Sequence, residues 1–320
     1  MPPPSLLATI LRWTRSAATA RAAGSADAAA AGAGPIALHY FDSRRHPNFG
    51  DRLNVDLLRA LTGRAVRAAT ADDATHVCIG SLLEAFLCRA TEPPRGDVPL
   101  AVWGSGFIGP PGLRDGRIEQ PARPLVVHAV RGRLTLERLR AMGVDVSRAA
   151  LGDPGLLARL LVPAERARPR YRLGLVAHYV DERDPVFARI RARVPSTRLI
   201  RVATAPAQFL ADLRECEVVL SSAMHGLIAA DALGIPNARI RVADRITGGD
   251  YKFHDYYSVF NVDPQPLTRD ELWNLTTPDL ARIEAAYAIT PAAVNRVVDT
   301  LLTTCPFTLR AGTQANRVAA

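Results

Sequence analysis

The chain has only one lysine, Lys252; every other one of its 40 basic residues is an arginine. Its Ala and Pro content follows the same bias, which points to genomic base composition and singles out Lys252. No run reaches the 18 apolar residues that a membrane span requires. The apolar stretch at 6–11 has no basic region before it and meets Arg12 and Arg15 at once, which argues against a secretory signal. P-loop and Gly-x-Ser-x-Gly patterns are missing. Gly104-Ser-Gly106 begins a Gly-x-Gly-x-x-Gly match ending at Gly109, but it runs into Pro110-Pro111 rather than a helix and does not count as a dinucleotide fingerprint. Together these weigh against NAD binding, ATP hydrolysis and a nucleophilic serine. Cys78, Cys88, Cys216 and Cys305 lack metal-ligand spacing and read as free thiols of a reducing compartment. No metal is expected. Without a basic run interleaved with aromatics, a helix-turn-helix or a zinc pattern, no nucleic acid is expected either.

What is present is a chain of 320 residues, 48% hydrophobic and 22% charged, with a formal charge of +9. Its length allows a sizeable core and two domains. The basic balance suits anionic small molecules, an anionic membrane face or nucleic acid, and does not choose among them. Residues 1–34 are rich in Ala and Gly and read as disordered, or as carrying a short amphipathic helix at 6–13 laid on a membrane.

From Pro35 onward short apolar runs alternate with helical patterns, as in parallel sheets covered by helices. Strands are expected at 36–41, 76–79, 100–103 and 125–130, and again at 172–178, 197–203 and 218–220. Between them lies a linker at 162–170. The expected fold is α/β: two Rossmann-like domains facing a cleft, GT-B-like, with C-terminal helices. Their limits are 35–163 and 171–267, followed by helices and a tail over 268–320. Each early strand stops in a small-residue turn, and in open α/β sheets such turns share the ligand-binding rim.

The most informative segment is Ser221-Ser-Ala-Met-His-Gly-Leu-Ile-Ala-Ala-Asp231. It reads as a buried strand ending in a hydroxyl-rich turn that opens a helix, with Ser221 or Ser222 as cap. Free amides and the positive end of the helix dipole then face whatever His225 faces, so an anion can sit beside a proton donor. The same residues equally fit a plain strand-helix turn whose histidine bonds its own backbone. Further polar residues fall at strand ends: Asn48, Asp51, Asn54, Arg131, Arg133, Asp153, His178 and Asp255. Asp51 reads as a helix cap or a base, and Asp153 as a residue that only holds a turn. Arg131 is expected to leave its strand into a wet rim, where its fork matches carboxylate or phosphate. Lys252 lies in Gly248-Gly-Asp-Tyr-Lys-Phe-His-Asp-Tyr-Tyr257, read as a flexible glycine-flanked approach to a ligand or as a surface loop.

Together these pieces resemble the polysaccharide pyruvyl transferase family, especially the bacterial exopolysaccharide ketal-pyruvate transferases. The likeness rests on Asn48-Phe-Gly-Asp-Arg-Leu-Asn54, Ile79-Gly-Ser-Leu-Leu83, Trp103-Gly-Ser-Gly106, Val130-Arg-Gly-Arg-Leu-Thr135, Gly152-Asp-Pro154 and Ser221-Ser-Ala-Met-His-Gly226, in that order. The resemblance implies transfer of the pyruvyl unit of phosphoenolpyruvate to a sugar of an exopolysaccharide or its lipid-linked precursor. No cofactor beyond that donor substrate is implied. His225 and Arg131 would be catalytic and converge on one electropositive pocket. Ser221, Ser222, Met224, Arg133 and Lys252 would bind the donor, and Asn48, Asp51 and Asn54 the acceptor. Many members have Arg-Leu-His where this chain has Ala223-Met-His225, so another cation must serve, with Lys252 preferred over Arg133 and Arg45. The implied location is the cytoplasm, peripheral to the inner membrane. A nucleotide-sugar glycosyltransferase of GT-B type and a non-catalytic subunit of a polysaccharide assembly complex are the rival readings.

Overall fold

Apolar runs too short for helices alternate with amphipathic segments long enough for them, and the chain builds two parallel sheets from this pattern. A computed structural model describes residues 34–310 apart from 42–46, 90, 93–95, 113–118 and 164–167. The expected helix at 6–13, nearly all of the Ala/Gly-rich stretch, Arg45 and the tail from 311 lie outside the described residues.

The strands of the first half are β1 (Ile36–His39), β2 (Val66–Ala68), β3 (His76–Val77), β4 (Leu87–Arg89), β5 (Leu100–Trp103), β6 (Glu119–Pro121), β7 (Leu125–Val130) and β8 (Ala150–Leu151). Six of them form a parallel sheet in the order β2-β1-β3-β5-β7-β8, while β4 and β6 pair as a small antiparallel ribbon. The second half supplies β9 (Tyr171–Ala177), β10 (Thr197–Arg201), β11 (Cys216–Ser221) and β12 (Asn237–Arg239), a second parallel sheet in the order β10-β9-β11-β12. The helices are α1 (Phe49–Thr62), α2 (Arg133–Ala141), α3 (Pro185–Arg193), α4 (Pro206–Arg214), α5 (Met224–Ala232), α6 (Tyr251–Tyr257), α7 (Arg269–Asn274), α8 (Thr277–Ala286) and α9 (Pro291–Thr303).

Helix α1 shows how local chemistry sets an element. Asn48, not Asp51 as expected, is its cap: the Asn48 side chain accepts a hydrogen bond from the Gly50 amide at 3.2 Å. Leu53, Leu57, Leu58 and Leu61 recur on one buried face, and Gly63 closes the helix in the left-handed conformation. At the start of α5 the cap position is Ala223 rather than a serine; it offers no side-chain acceptor. The 248–257 segment is not a flexible loop. It contains α6, whose Lys252, Phe253, Asp255, Tyr256 and Tyr257 are buried.

The packing between the sheets differs from two domains that meet only across a cleft. A single hydrophobic cluster runs through Phe49 and Leu53 of α1, Phe209 of α4, Leu227 and Ile228 of α5, and Leu156 and Leu157 in a 3-10 turn spanning Pro154–Leu161. Phe49 stacks on Phe209 with ring centroids 4.0 Å apart. Helix α9 returns to the first sheet, where the Trp103 indole Nε1 donates to the Leu301 carbonyl at 3.1 Å and Phe307 meets the Trp103 ring edge-on. Leu301 is fully buried at this crossing. Its truncation leaves a cavity that the packed helix cannot close, so Leu301→Ala is expected to lower unfolding free energy by about 2–5 kcal/mol. Urea denaturation followed by circular dichroism measures this; a loss below 1 kcal/mol would show that α9 contributes little to the first sheet.

Candidate active site

Three sequence-predicted residues come together from distant segments: Asp51 in the first turn of α1, His225 in the first turn of α5 and Lys252 in α6. Two more polar groups border them, His178 at the end of β9 and Asp153 before the Pro154–Leu161 turn. The His225 ring lies directly over Gly50, so close that a Cβ on Gly50 would fall inside the imidazole. The first turns of α1 and α5 therefore meet, and the positive ends of their dipoles favour a shared anion.

The electrostatics follow from burial. Desolvation pushes the Asp51 carboxyl up to about 6, although His225 and Lys252 nearby favour its charged form. Lys252 is pushed down to about 8, first by burial and then by the positive charges of Arg131 and Arg239, with Asp51 opposing. Burial, aided by Lys252, takes His178 down to about 4, so its ring is neutral at pH 7. The cluster thus holds a carboxylate and an amine whose proton affinities have moved toward each other.

Arg131 does not enter a wet rim. It is fully buried, and its guanidinium is consumed internally: Nε donates to Asp255 Oδ2 at 2.9 Å, Nη1 to the Ser81 hydroxyl at 2.5 Å and Nη2 to the Phe107 carbonyl. The expected pairing of Arg131 with His225 on one pocket is replaced by a cluster around Lys252, with Arg131 behind it. Asp255 also accepts from the Thr135 amide at 2.9 Å and the Thr135 hydroxyl at 2.6 Å. It therefore caps α2 from another segment, because Gly132 at the cap position has no side chain of its own. A Cβ on Gly132 would run into the Asp255 carbonyl.

Other predicted binding residues are also occupied. Arg133 is exposed and bonds the Ser258 carbonyl and Asn261, away from the cluster. The Ser221 hydroxyl donates to the Ala223 carbonyl and accepts from the Ala223 amide, and the Ser222 hydroxyl accepts from the His178 amide; both serines are fully buried braces of the turn. Met224 packs its side chain into the core. Asn48 is spent as the α1 cap. Asn54 is fully buried, and its amide bonds the Asp51 carbonyl and both the N–H and C=O of Ile79, so it joins α1 to the end of β3.

Two residues were undervalued by the sequence. Arg239, at the end of β12 opposite Ser221, is buried over the Phe253 ring and pairs with Asp250. Asp153 is fully buried, with Oδ1 accepting from the Gly155 amide at 2.8 Å and Oδ2 3.8 Å from His225 Nε2. A dipeptide Asp-Pro at a strand end signalled a turn, and nothing in the sequence signalled its distant neighbour.

Two outcomes follow from the buried charges. Asp255→Ala strands the Arg131 guanidinium without its anion and is expected to cost about 3–5 kcal/mol in chemical denaturation. Between about 8 and the ordinary 10.5, the unfolded chain holds the Lys252 proton and the folded chain releases it, so this residue makes stability rise with pH over that window. Lys252→Met should accordingly raise stability at pH 7 by roughly 1–3 kcal/mol, with the gain shrinking by pH 10. A gain that does not change with pH would show that the amine is not desolvated.

An uncharacterized protein, L143, of Acanthamoeba polyphaga mimivirus is 38% identical to this chain over 144 residues, which are 42% of the chain and 48% of that relative. The chain thus spans about half the length of this curated relative. Among solved structures, one assigned as a UDP-N-acetylglucosamine 2-epimerase from Listeria monocytogenes overlaps it at a TM-score of 0.38 with 15% identity, over 56% of this chain and 58% of that one. The family model described as polysaccharide pyruvyl transferase matches residues 43–244, well over half of the chain, and includes Asp51, Asp153, His178 and His225. The chain is a member of the polysaccharide pyruvyl transferase family.

Proposed function

We propose that the protein moves the pyruvyl group of phosphoenolpyruvate onto two hydroxyls of one sugar in an exopolysaccharide or its lipid-linked precursor, forming a cyclic ketal and releasing phosphate. The observation that carries this reading is the gathering of Asp51, His225 and Lys252 where two helix N-termini meet in a member of this family. Phosphoenolpyruvate needs cations for its carboxylate and phosphate, an acid for its methylene carbon, and a base for the attacking hydroxyl.

Lys252 and the helix dipoles serve the anionic groups. A bound anion favours the ammonium form, which counters the desolvation that lowers the free amine. Lys252 thereby takes the part left open by Ala223, and Arg239 behind it adds positive potential. His225 protonates the methylene carbon, and the oxocarbenium-like centre at C2 is attacked by a first sugar hydroxyl. Asp51, with its carboxyl at about 6, is ionised at pH 7 and accepts the proton of that hydroxyl. Phosphate then leaves, taking the proton held by Asp51, and the second hydroxyl closes the ketal and returns its proton to His225. The donor is the only small molecule required, and no metal takes part in the steps described.

The acceptor is an oligosaccharide or lipid-linked oligosaccharide, which places the work in the cytoplasm beside the inner membrane. The formal charge of +9 is compatible with such an anionic surface. Among the described residues no helix is long and apolar enough to cross a membrane.

The decisive measurement is phosphate release from phosphoenolpyruvate with and without added oligosaccharide acceptor. Release that depends on acceptor is expected. Its absence, together with tight binding of a nucleoside diphosphate sugar, would replace this reading by glycosyl transfer. His225→Ala should cut turnover by about 10²–10⁴, while Lys252→Met should raise KM for phosphoenolpyruvate by about 10–100-fold. Unchanged turnover in the first variant would remove His225 from the chemistry.

A further inference from the structure

We infer that Asp153 is the positioning residue of His225: its Oδ2 accepts the Nε2–H of the imidazole and so leaves Nδ1 as the nitrogen that exchanges a proton with substrate. This inference rests on the pyruvyl-transfer reading for its chemistry but not for its geometry.

The two atoms face each other at 3.8 Å. Both are shut off from solvent, and neither has a hydrogen-bond partner among the described residues. A buried carboxylate oxygen and a buried ring nitrogen left unpaired each carry a desolvation cost, which a shift of roughly 1 Å removes from both. The carboxylate is the fixed member of the pair. Its Oδ1 is held by the Gly155 amide at 2.8 Å at the head of the Pro154–Leu161 turn, and that turn packs Leu156 and Leu157 into the same core as Leu227 and Ile228 of α5. Ring rotation brings the movable imidazole to it.

The exposure of the His225 side chain is only 10%, and Nε2 contributes almost none of it. Substrate must therefore approach from the other edge, where Nδ1 lies over Gly50. A histidine whose far nitrogen donates to a carboxylate has a defined tautomer and a fixed ring plane. When the imidazolium gives up its Nδ1 proton, the ring is left neutral with Nε2–H still held by Asp153. The pairing also crosses the molecule, because Asp153 follows β8 of the first sheet and His225 follows β11 of the second. It therefore ties the ring orientation to the way the two sheets are packed.

Nitrogen-15 NMR of the histidine-labelled free protein tests this, with the seven histidines assigned by loss of the signal in His225→Gln. Wild-type His225, when neutral, should show the Nε2–H tautomer. In Asp153→Asn the side-chain oxygen keeps the Gly155 cap and presents an N–H to Nε2, so the ring should switch to Nδ1–H. Turnover should fall by about 10²-fold or more, with KM for phosphoenolpyruvate within about threefold. A wild-type Nδ1–H tautomer, or the same tautomer in both proteins, overturns the inference; the wild-type spectrum alone decides if the variant does not fold. The spectrum needs no substrate, so failure of phosphate release by the wild type would reject the proposed reaction while leaving the tautomer result to judge Asp153.

Discussion

The buried ion pair between Arg131 and Asp255 is the contact on which the rest of the arrangement depends. One guanidinium at the end of β7 reaches the turns after β3 and β5 through Ser81 and Phe107, and its partner sits on α6. Asp255 in turn supplies the cap that α2 lacks. Such a pair contributes little net stability compared with a well-packed apolar substitute, because desolvating two ions offsets most of their attraction. Its value here is geometric. Breaking it leaves a naked charge, so the chain has one low-energy way to seat α6 against the first sheet, and that seat places Lys252 three residues away from the pair.

Burial then sets the chemistry of the neighbouring groups. An amine and a carboxyl placed in open solvent would differ widely in proton affinity. Enclosed near one another, Lys252 falls to about 8 and Asp51 rises to about 6. The same enclosure keeps His178 neutral and leaves His225 with a carboxylate on its sealed side. Gly50 contributes by absence, since any side chain there would occupy the space of the imidazole.

Much of the fold was legible. Leucines at helical spacing with a following Gly63 specified α1, and the runs at 100–103 and 125–130 became strands with those limits. Pro206 opened α4 as expected. The short edges β2 and β12 and the ribbon of β4 and β6 were not read, because three-residue strands lack a period that distinguishes them from loops. Helix α6 was mistaken for a glycine-rich loop: Gly248 and Gly249 mark only the turn before it, at φ +79° and +54°. The aromatic residues that bury its face were visible, but not what they would pack against.

For the site, sequence alone determined the inventory: a histidine after a buried strand, a single lysine, polar residues at strand ends, and an order of motifs resembling one family. It could not say which charges would be free. Arg131 and Asn54 look like ligand contacts in the chain and are structural because their partners, Asp255 and Ile79, are 124 and 25 residues away. Asp153 looked like a turn residue and lies beside His225 because a 3-10 turn packs on α5. Local propensity reaches only a few residues along the chain, whereas pairing, burial and the proton affinities they shift are set by neighbours that only the tertiary packing supplies.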